Sequence, residues 1–495
     1  MAAKTEVLPI SSETPVGSVR PKSTYRDLRE WIDAMDALGQ VRRLEGADWN
    51  LEIGAISDIV RRESKTKPAL LFDSIPGYPN GYRVLSNPLE SIPQVAFTLN
   101  MPADLAGLEV VRELRRRLRE LKLVPPKTVA SGPVMENVYS GDEVDLLKFP
   151  TPWWHERDGG RYIGTGCVVI TRDPETGWVN LGTYRVMIHD KNHLGISISP
   201  GKDGRIQMEK AFQAGKPFEV AISFGHDPLL FLGGTAKVRY GESEYDYAGW
   251  FKGAPIEVVR GPSTGLPIPA HSEAVIEGVM TREDQRPEGP FGEFTGYYAS
   301  GSRTAPVITV NTLMHRNDPI LLGSPPGRPP CNLHLYLISS AIVWEALENA
   351  GVPDVRGVWQ HQVAPVWMFT VVSIHQRYPG HARQAGLVAS QCKGNAYMGR
   401  YVIVVDDDID PSNLDDVIWA LTTRSDPEND IEIVRRCWSG PLDPIIPEGQ
   451  KGWNSRAIID ACRPYEWRDK FPPVVEVDAE RKKDLIKRWG RKLFE

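Results

Sequence analysis

The stretch Pro287-Glu288-Gly289-Pro290-Phe291-Gly292-Glu293 constrains this chain more than any other. Two acids stand five residues apart, with two prolines and two glycines around them. Pro290 fixes its own φ and biases Gly289 away from helix, and the glycines permit backbone shapes that other residues resist. The pattern predicts a rigid turn, with Glu288 and Glu293 off any regular helix face. A stiff loop bearing two carboxylates suits general acid–base work, where geometry comes first and pKa second. A solvated surface turn gives the same pattern, because loops are usually polar.

A chain of 495 residues is too long for one ordinary core, so two or three domains are expected. The mixture, 41% hydrophobic and 25% charged, is that of a globular protein. A formal net charge of −6 asks for no nucleic-acid partner and no anionic membrane surface. No apolar run approaches the roughly 20 residues that a membrane helix needs. Residues 1–22 are rich in Ser, Thr and Pro without an apolar core, which reads as a disordered leader rather than a secretory signal. Cys167, Cys331, Cys392, Cys437 and Cys462 are odd in number and far apart, and no two form CxxC. That pattern argues against a disulfide framework or a zinc ribbon and fits the reducing cytoplasm. Cys392 stands out because Lys393 beside it could lower its pKa.

Three textures follow one another. Residues 23–125 read as an α+β unit. Leu28, Trp31, Ile32, Met35 and Leu38 keep helical spacing, a short helix begins near Leu51, and 69–72 and 82–85 read as strands. A longer helix carries Leu108, Val111, Leu114, Leu118 and Leu121. Its arginines, Arg115, Arg116, Arg117 and Arg119, read as a solvated face because Glu113 and Glu120 sit among them. From 126 to 320 short strand-like runs are punctuated by Gly and Pro, which suggests a β-barrel or sandwich. These include a hairpin over 168–188 and runs at 218–224, 256–260, 274–280 and 307–314. Residues 335–475 alternate helix and strand, an α/β texture. Residues 480–495 form a charged helix with Leu485, Ile486, Trp489 and Leu493 on one face, suited to partner binding or to clasping a dimer.

Within the hairpin, Asn180 and Arg185 lie in apolar sequence. Asn is disfavoured in strands, and a buried Arg needs a partner. Their odd spacing puts them on opposite faces of a flat strand, so serving one site requires a bulge, for which Gly182 is the natural place. An edge strand with Arg185 in solvent is the plainer reading. Pairing Arg185 with Glu288 and Glu293 would supply its counter-charge and orient both carboxylates. Glu244 is an acid among aromatics, suited to a metal or to an exposed turn. Lys393, between a helix and a strand, is placed for a phosphate. Asp406, Asp407, Asp408 and Asp410 resemble a magnesium site superficially, but helix capping and a solvated strand end explain them better. No GxGxxG after a strand and no GxxxxGK[ST] is present, so neither a Rossmann nor a P-loop site is supported.

Several distant segments occur in the order found in one family. They are Asp158 to Tyr162, Arg185 with His189 to His193, Ser243-Glu244, Pro287 to Glu293, Lys393 and Val405 to Asp410. Over about residues 23–475 the chain resembles the UbiD family of prenylated-FMN-dependent reversible decarboxylases. The resemblance implies a multidomain α+β and α/β protein with a central split β-barrel that binds the flavin and a C-terminal domain used in oligomerisation. It implies a Glu288–Arg185–Glu293 network in which Glu293 donates the proton, Arg185 contacts the flavin and Glu288 orients Arg185. Asn180 and Glu244 match ligands of a divalent metal, usually Mn2+ (or Mg2+), that ties down the flavin phosphate, with K+ beside it in part of the family. Lys393 matches a phosphate-binding lysine, and Thr183 and Tyr184 fall where the backbone meets the flavin.

Where some members carry a histidine ligand, residues 199–204 here contain none, and Lys202 is placed to contact the phosphate or the substrate. Phe294, Arg328 and His334 are the expected substrate wall. The implied substrates are CO2 and an aromatic, heteroaromatic or α,β-unsaturated carboxylic acid. A flavin prenyltransferase is the implied source of the cofactor, and a homodimer or a hexamer built as a trimer of dimers is the implied assembly. The competing function is a non-catalytic flavin-binding or assembly subunit. Retention of Arg185, Glu288 and Glu293 together argues against it.

Overall fold

The computed structural model describes residues 25–494 other than 237, 448 and 451, so the expected leader lies outside the described residues. The first helix, Leu28–Ala37, begins where Asp27 accepts a hydrogen bond from Glu30 N at 3.0 Å, and it buries Leu28, Trp31, Ile32 and Met35. It covers a four-stranded sheet in the order Val41–Glu45, Ala69–Asp73, Arg83–Ser86, Ile320–Gly323. The fourth strand arrives from the far end of the central region, so the first unit and the barrel are stitched together. The arginines of helix Gly107–Arg119 are not simply solvated. Arg115 and Arg119 pair with Glu345 and Glu348 of helix Leu333–Asn349, while Arg116 and Arg117 pair with Glu113.

The central sheet has nine strands. Eight follow in the order Tyr162–Gly164, Arg185–Ile188, His193–Ser197, Arg303–His315, Ala274–Glu288, Phe218–Gly225, Val168–Arg172, Val179–Gly182, and Asn137–Ser140 pairs with Arg303–His315. This order dictates closure. Val179–Gly182 ends the row and Arg185–Ile188 is second from the other end, yet only Thr183 and Tyr184 separate them in sequence. Three residue steps reach about 10 Å at most. A flat row of this many strands spaced about 4.8 Å apart cannot meet that limit, so the sheet curls until its ends meet. The expected single hairpin strand over 178–188 is therefore two strands. The break falls at Thr183–Tyr184 rather than as a bulge at Gly182, with Asn180 on one strand and Arg185 on the other.

The C-terminal sheet has five strands, ordered Val355–Gln360, Phe369–Ile374, Tyr401–Asp406, Trp453–Ala461, Ile431–Trp438. Of the aspartates at this strand end, Asp406 is buried in ion pairs, while Asp408 and Asp410 are exposed as a solvated strand end would be. Arg424 reaches Asp406 at 3.3 Å and Asp408 at 2.8 Å, and Arg463 reaches Asp406 at 3.0 Å. Asn413 caps helix Leu414–Arg424. Burial raises the Cys392 thiol pKa, opposite to the lowering expected from Lys393. Helix Ala479–Phe494 leaves Ile486 and Trp489 exposed. No helix among the described residues is long and apolar enough to cross a membrane.

Candidate active site

Glu288 is the last residue of the 15-residue strand Ala274–Glu288, not part of the turn. It pairs across the ladder with Arg303, while Arg185 pairs with Ser197 two strands away. Arg185 grips Glu288 with two bonds, Nε to Oε1 and Nη2 to Oε2, each 2.8 Å. Its remaining terminal nitrogen, Nη1, donates to Glu293 Oε1 at 2.7 Å. The Glu288 side chain is fully buried, and those of Arg185 and Glu293 are 10% and 13% exposed. A planar guanidinium with a fixed fork suits this double duty, and an ammonium does not. Tyr162 donates to Glu288 Oε1 at 2.9 Å, its ring packs tilted against Phe291 with centroids 4.0 Å apart, and Arg185 lies 5.6 Å from the Phe291 ring centre.

The Asp158-Gly159-Gly160-Arg161-Tyr162 segment explains itself here. Asp158 accepts from Gly292 N at 3.3 Å and from the Tyr298 hydroxyl at 3.2 Å. Gly159 N donates to Pro290 O at 2.7 Å, and a Cβ on Gly159 would lie 2.1 Å from Gly289 O. Gly289 itself has φ +89, the region that favours glycine. The acid loop is thus clamped on both sides of Phe291. Asp158, Gly159 and Tyr162 belong to the matched segment, but sequence reasoning assigned them no role, because their partners lie over 120 residues away.

Burial pushes the Glu293 carboxyl up to about 7, against the opposing pull of Arg185 and Arg303. A carboxyl balanced there can give and take a proton near neutrality. It opens on a cavity of about 430 Å3 whose walls include His155, Arg157, Tyr297, Tyr298 and Arg328. Phe294 is half-buried and meets Trp367 edge-on at 5.4 Å, which joins the acid loop to the C-terminal domain. His334 does not line this cavity. It is completely buried, packs 5.3 Å from Phe231, and burial drives its imidazole down to about 3.

A second group gathers at the barrel seam. Asn180 and Glu244 are 2% and 3% exposed, and Glu244 accepts from Leu181 N at 2.7 Å. Burial raises the Glu244 carboxyl to about 8. Among the described residues no cation pairs with it, and no three His, Cys, Asp or Glu side chains gather as a ready metal site. A buried carboxylate with an amide oxygen nearby and no counter-charge fits a hard divalent ion that takes further oxygens from a ligand. Thr183 donates to Gly234 O at 3.5 Å, and Tyr184 is buried with its hydroxyl on Gly204 N at 3.3 Å. Lys202 is exposed, yet the protein crowded around it lowers its ammonium pKa. Lys393 lines a separate cavity of about 630 Å3 with Gly233, Ala236 and Glu242. A Cβ on Gly233 would lie 3.8 Å from Glu244 O, so one backbone layer separates Lys393's cavity from the Glu244 group.

Comparison with known proteins covers nearly the whole chain. Residues 32–114, 127–329 and 333–461 match the models of the N-terminal, Rift-related and C-terminal domains of 3-octaprenyl-4-hydroxybenzoate carboxy-lyase. The phenolic acid decarboxylase of Bacillus subtilis (strain 168) is 32% identical over 483 residues, covering 95% of this chain and 99% of that protein. The vanillic acid decarboxylase of Sedimentibacter hydroxybenzoicus, solved in open form, is similar with TM-score 0.82 and 30% identity over 94% of this chain and 99% of that one. An evolved dimeric form of the UbiD-class enzyme HmfF from Pelotomaculum thermopropionicum, solved with prFMN, gives TM-score 0.78 and 26% identity over 92% and 98%.

Proposed function

The chain belongs to the UbiD family of carboxy-lyases, and from that premise we propose that it reversibly decarboxylates an aromatic, heteroaromatic or α,β-unsaturated acid with prenylated FMN. The observation that carries this reading is the Glu288–Arg185–Glu293 network, with Glu293 poised at about 7. Losing CO2 from an sp2 carbon leaves a poor carbanion, and prenylated FMN, when bound, supplies the electron sink that side chains lack. The chain's own residues do the rest. Tyr162 holds Glu288, Glu288 fixes Arg185, Arg185 fixes Glu293, and Glu293 delivers a proton to the carbon that CO2 has left. In carboxylation Glu293 takes that proton away. The barrel and the acid loop keep water from this exchange and hold the reacting groups in one geometry.

Asn180 and Glu244 would hold the divalent ion, Mn2+ or Mg2+, with K+ beside it, and Lys202 and Lys393 would neutralise phosphate. Exhaustive chelation is expected to make bound flavin labile on gel filtration. Unchanged flavin retention in metal-free protein contradicts that assignment. Arg328→Leu is expected to change the ranking of acids tested more than it changes flavin content, since Arg328 lines the cavity onto which Glu293 opens. Equal losses across all acids would count against this role. The reading as a whole is tested by co-expression with a flavin prenyltransferase, followed by the mass and visible spectrum of the bound flavin and by CO2 release from a panel of aromatic acids. Unmodified FMN in protein that nevertheless releases CO2 would overturn the cofactor assignment.

A further inference from the structure

We propose that Arg61 is a positioning residue that sets which acids fit. From a helix of the N-terminal unit it fixes the stretch 325–328, a wall of the cavity onto which Glu293 opens. This rests on the decarboxylase reading given above. Arg61 lies in the last turn of helix Glu52–Glu63 and is 1% exposed. An arginine at a helix end ordinarily carries its charge out to water. Here Nη1 donates to Pro325 O at 2.7 Å, Nη2 donates to Asp58 Oδ1 at 2.5 Å, and Nε has no partner among the described residues. Burying a guanidinium with one nitrogen unpaired is costly. The helix itself does not call for that cost, because Arg62 in the same turn stays in solvent and can serve the helix dipole.

What Arg61 holds is a loop. Residues 324–332 are closed at their base, where Ser324 Oγ donates to Asn332 Oδ1 at 2.7 Å and the buried Glu90 accepts from Asn332 N at 2.8 Å. The tip of this loop, Pro326, Gly327 and Arg328, lines the cavity together with Glu293 and Asp58. The tip is gripped on two sides. A Cβ on Gly327 would lie 2.4 Å from Arg61 Nη2, and a Cβ on Gly296, just past Glu293, would lie 2.8 Å from Arg328 Cα. Arg61 thus backs a wall whose other side packs on the acid loop. Bonded to both Pro325 and Asp58, its guanidinium has little room to yield. Arg185 governs the proton, and Arg61 governs the width of the space beside it.

The test uses the full chain loaded with prenylated FMN and steady-state kinetics on furoic, benzoic, naphthoic and cinnamic acids. Gly327→Ala keeps Arg61 and drives the wall into the cavity. KM for naphthoic acid should then rise at least about tenfold more than KM for furoic acid, since one methyl group in a pocket shifts discrimination by about 10–200-fold. Arg61→Met removes the anchor and frees space, so the bias should run the other way, with furoic acid losing about tenfold against naphthoic acid. Arg61→Lys should fall between wild type and Arg61→Met, because one ammonium cannot span Pro325 O and Asp58 as the fork does. The changes should sit in KM, with the pH limb near 7 kept, because Glu293 still bonds Arg185. Equal losses on every acid would show a merely structural role and overturn the proposal. So would a wild-type ranking in Gly327→Ala, which decides alone if Arg61→Met does not fold. Wild-type protein that releases CO2 from none of these acids counts against the decarboxylase reading. Dissociation constants of the same acids, followed by quenching of tryptophan fluorescence, then rank the variants without turnover, and wild-type protein that binds none of them overturns both.

Discussion

Glu293→Gln is expected to lower turnover by about two to four powers of ten, the usual share of general acid–base catalysis, with flavin content unchanged. Glutamine keeps the volume and can still accept from Arg185 Nη1, so the loop stays clamped by Asp158 and Gly159. Only the exchangeable proton is gone. The pH dependence carries the same signature. Protonated Glu293 is the donor, and its carboxyl stands at about 7, so the decarboxylation rate should fall as pH rises through that value. Arg303 also pulls this carboxyl down, so Arg303→Leu should move the descending limb to higher pH. A variant Glu293→Gln with wild-type turnover would transfer the donor role to Glu288.

Arg185→Met should be the most destabilising single change in the site. It leaves the Glu288 carboxylate fully buried, with the Tyr162 hydroxyl as its remaining side-chain donor. Breaking a buried pair by removing one partner costs about 3–5 kcal/mol, because the other charge stays uncompensated. The denaturant midpoint should drop accordingly, and activity should vanish because Glu293 loses its orientation. The double variant Arg185→Met with Glu288→Leu should recover most of the stability and none of the activity, since an apolar pair of similar volume often replaces a buried ion pair without loss. Arg185→Lys should not restore turnover, because an ammonium cannot bond Glu288 through two nitrogens and reach Glu293 as well. Equal midpoints for wild type and Arg185→Met would refute the energetic account of the network.

Much of this site was legible in the sequence because its chemistry is written in unusual residues. An arginine in an apolar strand must find a counter-charge, and the acid loop offers two. Asn180 stood out as a polar group in an apolar strand, whereas the burial of Glu244 was not legible from its polar surroundings. The fold was less so. Periodicity identifies strands but not their order, and the order decides between barrel and sandwich. Closure at Thr183–Tyr184 depends on pairings between Ala274–Glu288, Arg303–His315 and Phe218–Gly225 that no local pattern encodes. The same limit hid the clamp from Asp158 and Gly159 and made Glu288 look like a loop residue. His334 looked available because it follows a Pro/Gly-rich stretch. Its helix turns it into the core, where an imidazole stays neutral. Cys392 failed for the complementary reason: a lysine next in sequence does not lower a thiol pKa when burial dominates.

The central claim is that Glu293 moves the proton at the carbon that gains or loses CO2. Solvent exchange tests it without requiring CO2 at all. Product incubated in D2O with prenylated-FMN-loaded protein should take up deuterium at that carbon, followed by proton NMR. The account predicts uptake with wild-type protein and none above background with Glu293→Gln at equal flavin loading. Exchange at wild-type rate in Glu293→Gln would contradict it.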